Sequence, residues 1–288
     1  QGPGSVLAAQ MAGEDWAART GARRVAGAGI EVLSADHQNK PDVGMGIARR
    51  WMDQDGVDAI LDVPNSAIAL AVADLMRERN KTFVASGGGI ADLTGSRCSP
   101  NTVHWTYDTW MLAKSTGGAM VKAGGDTWFF VTADYAFGHA LQRDTARFVE
   151  SAGGKVLGAA RYPFPATTDF SAFLVQAQAS RAKVLGLAMA GDDLVNCVKQ
   201  AQEFGLAGRK IRPAAMIGHV VDIHTLGLQT AQGLVFTESF YWDLNDRTRA
   251  FTARVVPNMP NGLRPGMGQA GCYGAAIHYL NAVADMGV

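Results

Sequence analysis

The sequence predicts an alternating α/β fold in which parallel sheets are covered by helices and the chain forms two lobes. Three observations lead there. Strand-sized apolar runs alternate with amphipathic helical patterns over nearly all 288 residues. The strand runs end abruptly in small polar residues and glycine, most clearly in residues 57–89, VDAILDVPNSAIALAVADLMRERNKTFVASGGG. About ten strand segments are too many for one twisted sheet of ordinary size, so two sheets are expected.

The elements follow in order. Gln1-Gly2-Pro3-Gly4-Ser5 reads as a loop and helix cap ahead of a helical pattern over 5–20, with no charged-then-apolar signal segment before it. A strand is expected near 30–35, then a helix over 40–54. The strand at 57–63 breaks at Pro64 and passes into Asn65-Ser66-Ala67, which opens a helix over 66–80. The strand at 82–86 runs into Ser86 and three glycines. A loop bearing glycine and proline (87–101) leads to an extended run at 102–106. The alternation resumes with helix 108–123, strand 127–132, helix 138–152, strand 155–162, helix 170–180, strand 183–188, helix 192–204 and strand 211–217. A short helix around 222–226, a strand over 233–240 and helices over 246–256 and 267–284 complete it. The 34 glycines suit so many tight strand-to-helix turns.

The natural crossings between lobes are the loop before Tyr107-Asp108 and the strand end at 239–243. They give a discontinuous first lobe, 1–106 plus 241–288, and a second of 107–240. A lobe joined by more than one crossing suits a hinge that closes on a ligand.

Composition removes several functions. Charge balances at 26 basic and 26 acidic residues with no basic run, so neither nucleic acid nor an anionic membrane is an expected partner. The longest apolar runs are strand-sized, far short of a membrane span. Cys98, Cys197 and Cys272 are far apart and match no metal or redox spacing; they allow at most one disulfide. Catalysis has little support. Ser180-Arg181-Ala182-Lys183 fits SxxK without the motifs that accompany it. No GxSxG occurs, no acidic pair clusters for acid–base work, and His219 and His224 lie five apart, off the one-face spacing of a zinc helix. No enzyme, cofactor or metal is called for.

What the chain offers instead is a place for a small anion. Ligands sit at the carboxyl ends of parallel strands in such folds. A helix opening at Asn65-Ser66 points backbone N–H groups and a hydroxyl there, which favours negative charge, although N-capping alone also explains these residues. Ser86 offers a second hydroxyl, and the glycines after it allow close backbone approach or a plain turn. The spacing lacks both GxGxxG and a phosphate-loop lysine, so nucleotide binding is not indicated. Tyr135, in Asp134-Tyr135-Ala136-Phe137-Gly138, can present a ring face and a hydroxyl. Asp192 or Asp193 caps the next helix, and one of them could also accept a bond from a ligand. Phe240-Tyr241-Trp242 could stack on an aromatic ligand or pack the hinge.

Six segments carry a resemblance: SADHQNKPDVG (34–44), DVPNSAIALAV (62–72), ASGGGIADLTGSRCSPNTVHWTYD (85–108), WFFVTADYAFG (128–138), GLAMAGDDLVNCVKQAQEFGL (186–206) and TAQGLVFTESFYWDLNDRTRAF (230–251). In order and spacing they resemble the substrate-binding proteins of ABC importers of the branched-chain-amino-acid type, with the type I periplasmic binding protein fold. The nearer likeness is to the branch that takes aromatic or other organic carboxylates. The resemblance implies two Rossmann-like lobes joined by a hinge, and delivery of a small carboxylate to a membrane permease from the bacterial periplasm by a monomer. It also implies a first strand and a C-terminal segment outside residues 1–288. By position it implies ligand contacts at Asn65, Ser66, Ala67, Ser86, Gly88 and Tyr135, with Asp192 and Tyr241 as further candidates. His219, a further candidate contact, falls where amino-acid binders place an acid for the ligand ammonium; the acid is expected to be missing here, which argues against a simple α-amino acid and for a ligand with a second polar or anionic group. The alternative use of the same fold is a ligand-sensing module of a signalling or regulatory protein.

Overall fold

A computed structural model describes residues 2–21, 24–25, 28–206, 208 and 210–287. The chain divides into two compact units, Gln1–Tyr107 with Phe240–Val288, and Asp108–Ser239. The fold is α/β, with parallel sheets flanked by helices.

The first unit begins with α1 (Gly2–Thr20), which buries Ala8, Ala12 and Trp16. A short antiparallel pair follows, β1 (Arg24–Val25) with β2 (Ala28–Gly29). After it come α2 (Pro41–Asp53), β3 (Ala59–Leu61), α3 (Ser66–Glu78), β4 (Thr82–Ala85) and β5 (Thr102–His104). β3, β4 and β5 pair in parallel in that order, so all three carboxyl ends lie at one edge. α3 forms because Asn65 caps it and apolar residues recur at helical spacing. Ile68, Ala69, Val72, Ala73, Leu75 and Met76 are all buried.

The second unit holds α4 (Thr109–Lys122), β6 (Thr127–Ala133), α5 (Ala136–Ser151), β7 (Lys155–Tyr162), α6 (Ser171–Ser180), β8 (Val184–Ala188), α7 (Asp192–Glu203), β9 (Arg212–Ala215), α8 (Val220–Leu226) and β10 (Val235–Phe236). Its five strands pair in parallel in the order β10-β9-β8-β6-β7. Central β6 is apolar almost throughout because helices cover both of its faces. Phe129 and Val131 pack with Leu174 of α6 and with Leu194 and Val198 of α7. Trp128 and Phe130 alternate to the other face and stack at 5.6 Å. Edge strand β7 instead alternates buried and open positions.

The chain then returns to the first unit with α9 (Asp246–Val255) and α10 (Met267–Met286). α10 packs along α1, where Cys272 joins Ala8 and Ala9. Cys98 is exposed, Cys197 and Cys272 are buried, and all three are free. Among the described residues no helix is long and apolar enough to cross a membrane.

Three expectations need correction. Residues 30–35 form no strand: among the described residues no strand pairs with this stretch, and Leu33 is 40% exposed. Helix α1 starts at Gly2, earlier than residue 5, since a proline is tolerated in a first helical turn. β10 is two residues long instead of spanning 233–240. It is an edge strand with β9 as its one neighbour, and past Phe236 the hydroxyl of Thr237 turns to that of Thr116 at 2.7 Å.

Candidate functional site

In the first unit the chain leaves β3 through two residues in left-handed conformation, Asp62 (φ 70°) and Val63 (φ 56°). A β-branched residue rarely adopts this backbone, which marks a turn held under strain. The turn delivers Asn65 to the cap of α3. Its Oδ1 accepts from the N–H of Ala67 at 3.0 Å and of Ile68 at 3.2 Å, while its Nδ2 donates to Asn39 Oδ1 at 3.3 Å. The Ala67 N–H is therefore already engaged. Ser66, 2% exposed, differs: neither its N–H nor its hydroxyl has a partner among the described residues.

Beside it, at the end of β4, Ser86 Oγ donates to Asp62 Oδ1 at 3.3 Å and Gly87 N–H donates to Asp62 O at 3.1 Å. The Tyr107 hydroxyl holds the Gly87 carbonyl at 3.0 Å. Glycine is required here by packing. A Cβ at Gly87 would run into Asp62 Oδ1, and one at Gly88 would meet Ala69 Cβ at 2.6 Å. The buried Gly88 leaves its N–H without a partner among the described residues. Burial raises the Asp62 carboxyl above the usual carboxylate range, and the Ser86 hydroxyl works in the opposite direction.

In the second unit, Tyr135, Asp192 and His219 follow β6, β8 and β9, so the parallel sheet sets them along one edge. Tyr135 occupies the N-cap position of α5 and stacks on Phe164, with centroids 4.2 Å apart. The neighbouring Asp134 pairs with His139 at 2.6 Å. Asp192 is exposed at the start of α7, whereas Asp193 accepts a hydrogen bond from the Tyr162 hydroxyl at 2.7 Å. Burial first, and then the Asp193 charge, push the Tyr162 hydroxyl well up. His219 caps α8, and its N–H donates to Asp222 Oδ2 at 2.8 Å.

Next to that histidine stands Glu238, whose Oε1 lies 3.7 Å from His219 Nδ1, both side chains being largely buried. An acid from beyond β10 thus lies beside the histidine that occupies position 219. Asp222 is a second one, raised by burial and further by the Glu238 charge, with His219 opposing. The signal was present in the sequence as Thr237-Glu238-Ser239 after an apolar run. Asp62 and Phe164 were likewise missed as residues of these strand ends; the only signal for Asp62 was its position two residues before the break at Pro64.

Asn65, Ser66, Ala67, Ser86 and Gly88 thus meet at the carboxyl ends of β3 and β4. Tyr241 does not join them by any contact among the described residues. It is 50% exposed and tilts against Trp242 at 5.9 Å. Trp242 lies under Arg264, and Phe240 packs edge-on against Phe251.

A family model described as periplasmic binding protein matches residues 1–288. A periplasmic binding protein from Burkholderia mallei is 46% identical at a TM-score of 0.93, the match covering 100% of this chain and 74% of that one. A branched chain amino acid ABC transporter periplasmic ligand-binding protein from Burkholderia xenovorans LB400 is 38% identical at 0.82, covering 100% and 75%. An ABC transporter solute binding protein from R. palustris, solved in complex with benzoate, shares the fold at a TM-score of 0.85 with 18% identity, covering 100% and 79%. Among curated proteins none matches. The chain belongs to the periplasmic binding protein family.

Proposed function

We propose that this protein is the solute-binding receptor of an ABC importer, working in the periplasm, and that it captures a small carboxylate and hands it unaltered to the membrane permease. The observation that carries this reading is Ser66. At the start of a capped helix it offers a hydroxyl and an N–H with no partner among the described residues, and the Gly88 N–H nearby likewise has none among them. Donors gathered at a helix N-terminus suit a carboxylate, and charge-assisted bonds of this kind are among the strong ones. Asn65 holds the turn in place, and Ser86 completes the group. Tyr135, Asp192 and His219 with Glu238 are the residues proposed to read the rest of the ligand, with Tyr241 as an exposed further candidate.

Two features favour an amino acid or an aromatic acid as the solute. One relative belongs to a branched-chain amino acid transporter, and a protein of the same fold was solved with benzoate. Tyr135 and Phe164 supply aromatic surface, while Glu238 and Asp222 supply negative charge suited to an ammonium group. Thermal-shift screening against branched-chain amino acids, keto acids and aromatic acids tests the proposal, because a ligand bound only by the folded state raises the melting temperature. At least one carboxylate should raise it, with saturation. A flat response across all three classes would overturn the reading.

A further inference from the structure

A carboxyl and a hydroxyl face each other where β3 and β4 end. Ser86 is 1% exposed and reaches Asp62 Oδ1 at 3.3 Å. The backbone on both sides is shaped around that carboxyl. Asp62 and Val63 hold left-handed conformations, and position 87 must be glycine because a Cβ there would collide with Asp62 Oδ1. Among the described residues, the groups that face the carboxyl come from three places: Ser5 of α1, Ser86 after β4 and Cys272 of α10. Among the described residues no lysine, arginine or histidine side chain joins them. Burial raises the carboxyl above the ordinary range, and Ser5 and Ser86 only partly counter it. The Cys272 thiol, pushed far up by burial and by Asp62, stays protonated near neutrality and is a poor acceptor.

A serine hydroxyl carries one proton. While Asp62 is ionised, that proton points at Asp62 and Ser86 presents only lone pairs outward. A ligand carboxylate would then meet two centres of negative potential. Once Asp62 is protonated, its O–H donates to Ser86 Oγ, and the Ser86 proton becomes available to the ligand. Two carboxylates that share a site hold one proton between them for the same reason. Resting on the carboxylate reading above, we infer that Asp62 is a positioning residue which turns Ser86 from acceptor to donor, so that a carboxylate that binds while Asp62 is ionised takes up one proton from solvent.

Calorimetric titration with benzoate, 4-hydroxybenzoate and L-leucine, in phosphate and in Tris at about pH 6, 7 and 8, tests this. Proton uptake makes the binding heat differ between buffers by one ionisation enthalpy per ligand. Above the Asp62 titration the Kd should rise about tenfold per pH unit. Asp62→Asn keeps a donor aimed at Ser86, so its affinity should be flat with pH and its heats equal in the two buffers. Binding by the wild-type protein with equal heats in both buffers overturns the inference alone, as does undiminished uptake in Asp62→Asn. Should Asp62→Asn fail to fold, the wild-type buffer comparison decides. If none of the three acids binds, the carboxylate reading and the inference fall together.

Discussion

The ring of Tyr135 lies parallel to that of Phe164, with centroids 4.2 Å apart and planes 14° apart. One face of the tyrosine is thereby covered, so a ligand ring has at most the other face to stack on. Tyr135→Leu keeps the bulk and removes the aromatic surface. It should weaken benzoate by about 0.5–1.5 kcal/mol more than it weakens L-leucine. Calorimetry on both ligands measures the difference; equal losses would count against stacking.

Glu238 and His219 bear on a different selectivity. With Asp222 they place two acids around one imidazole, an excess of negative charge in a largely buried setting. Glu238→Gln should weaken an amino acid by about 1–3 kcal/mol and leave benzoate within about 0.5 kcal/mol, because only the former brings an ammonium group. Equal effects on both would remove Glu238 from ligand recognition.

The Tyr162 hydroxyl donates to Asp193 at 2.7 Å. Burial holds the Asp193 carboxyl above its ordinary range and the tyrosine works against that rise. A carboxyl that titrates higher when folded contributes stability that is full below the unfolded value, about 3.9, and is lost as pH rises through the folded value. Tyr162→Phe removes the opposing donor and deepens the loss. Urea denaturation should show the variant destabilised by about 1 kcal/mol more at about pH 8 than at about pH 4. A penalty independent of pH would mean that the bond does not couple to the titration.

Gly138 sits in the first turn of α5, where an added Cβ would run into the carbonyl oxygen of Ala133. Gly138→Ala should cost about 1–3 kcal/mol, since backbone on either side resists displacement. Denaturation midpoints check this. An unchanged midpoint would show that the helix can shift away from β6.

Local chemistry made much of this legible in advance. Asn65 at the head of an apolar helical repeat is a strong start signal, and α3 begins one residue later. The break at Pro64, the glycines after Ser86 and the apolar run of β6 mark strand ends and a doubly covered strand. What periodicity could not supply was the pairing partner. Residues 30–35 alternate well enough, yet among the described residues no strand pairs with them. Nor could spacing along the chain show which hydroxyl faces which acid. Ser86 and Asp62 are 24 residues apart, and their contact depends on the register of β3 with β4. Glu238 reaches His219 only because β10 lies against β9.

Titration of the wild-type protein and of Ser66→Ala with a carboxylate that raises the melting temperature tests the central claim most directly. The account predicts saturable binding by the wild type and a loss of about 1–3 kcal/mol in the variant, with its fold intact by circular dichroism. Unchanged affinity in Ser66→Ala would contradict it.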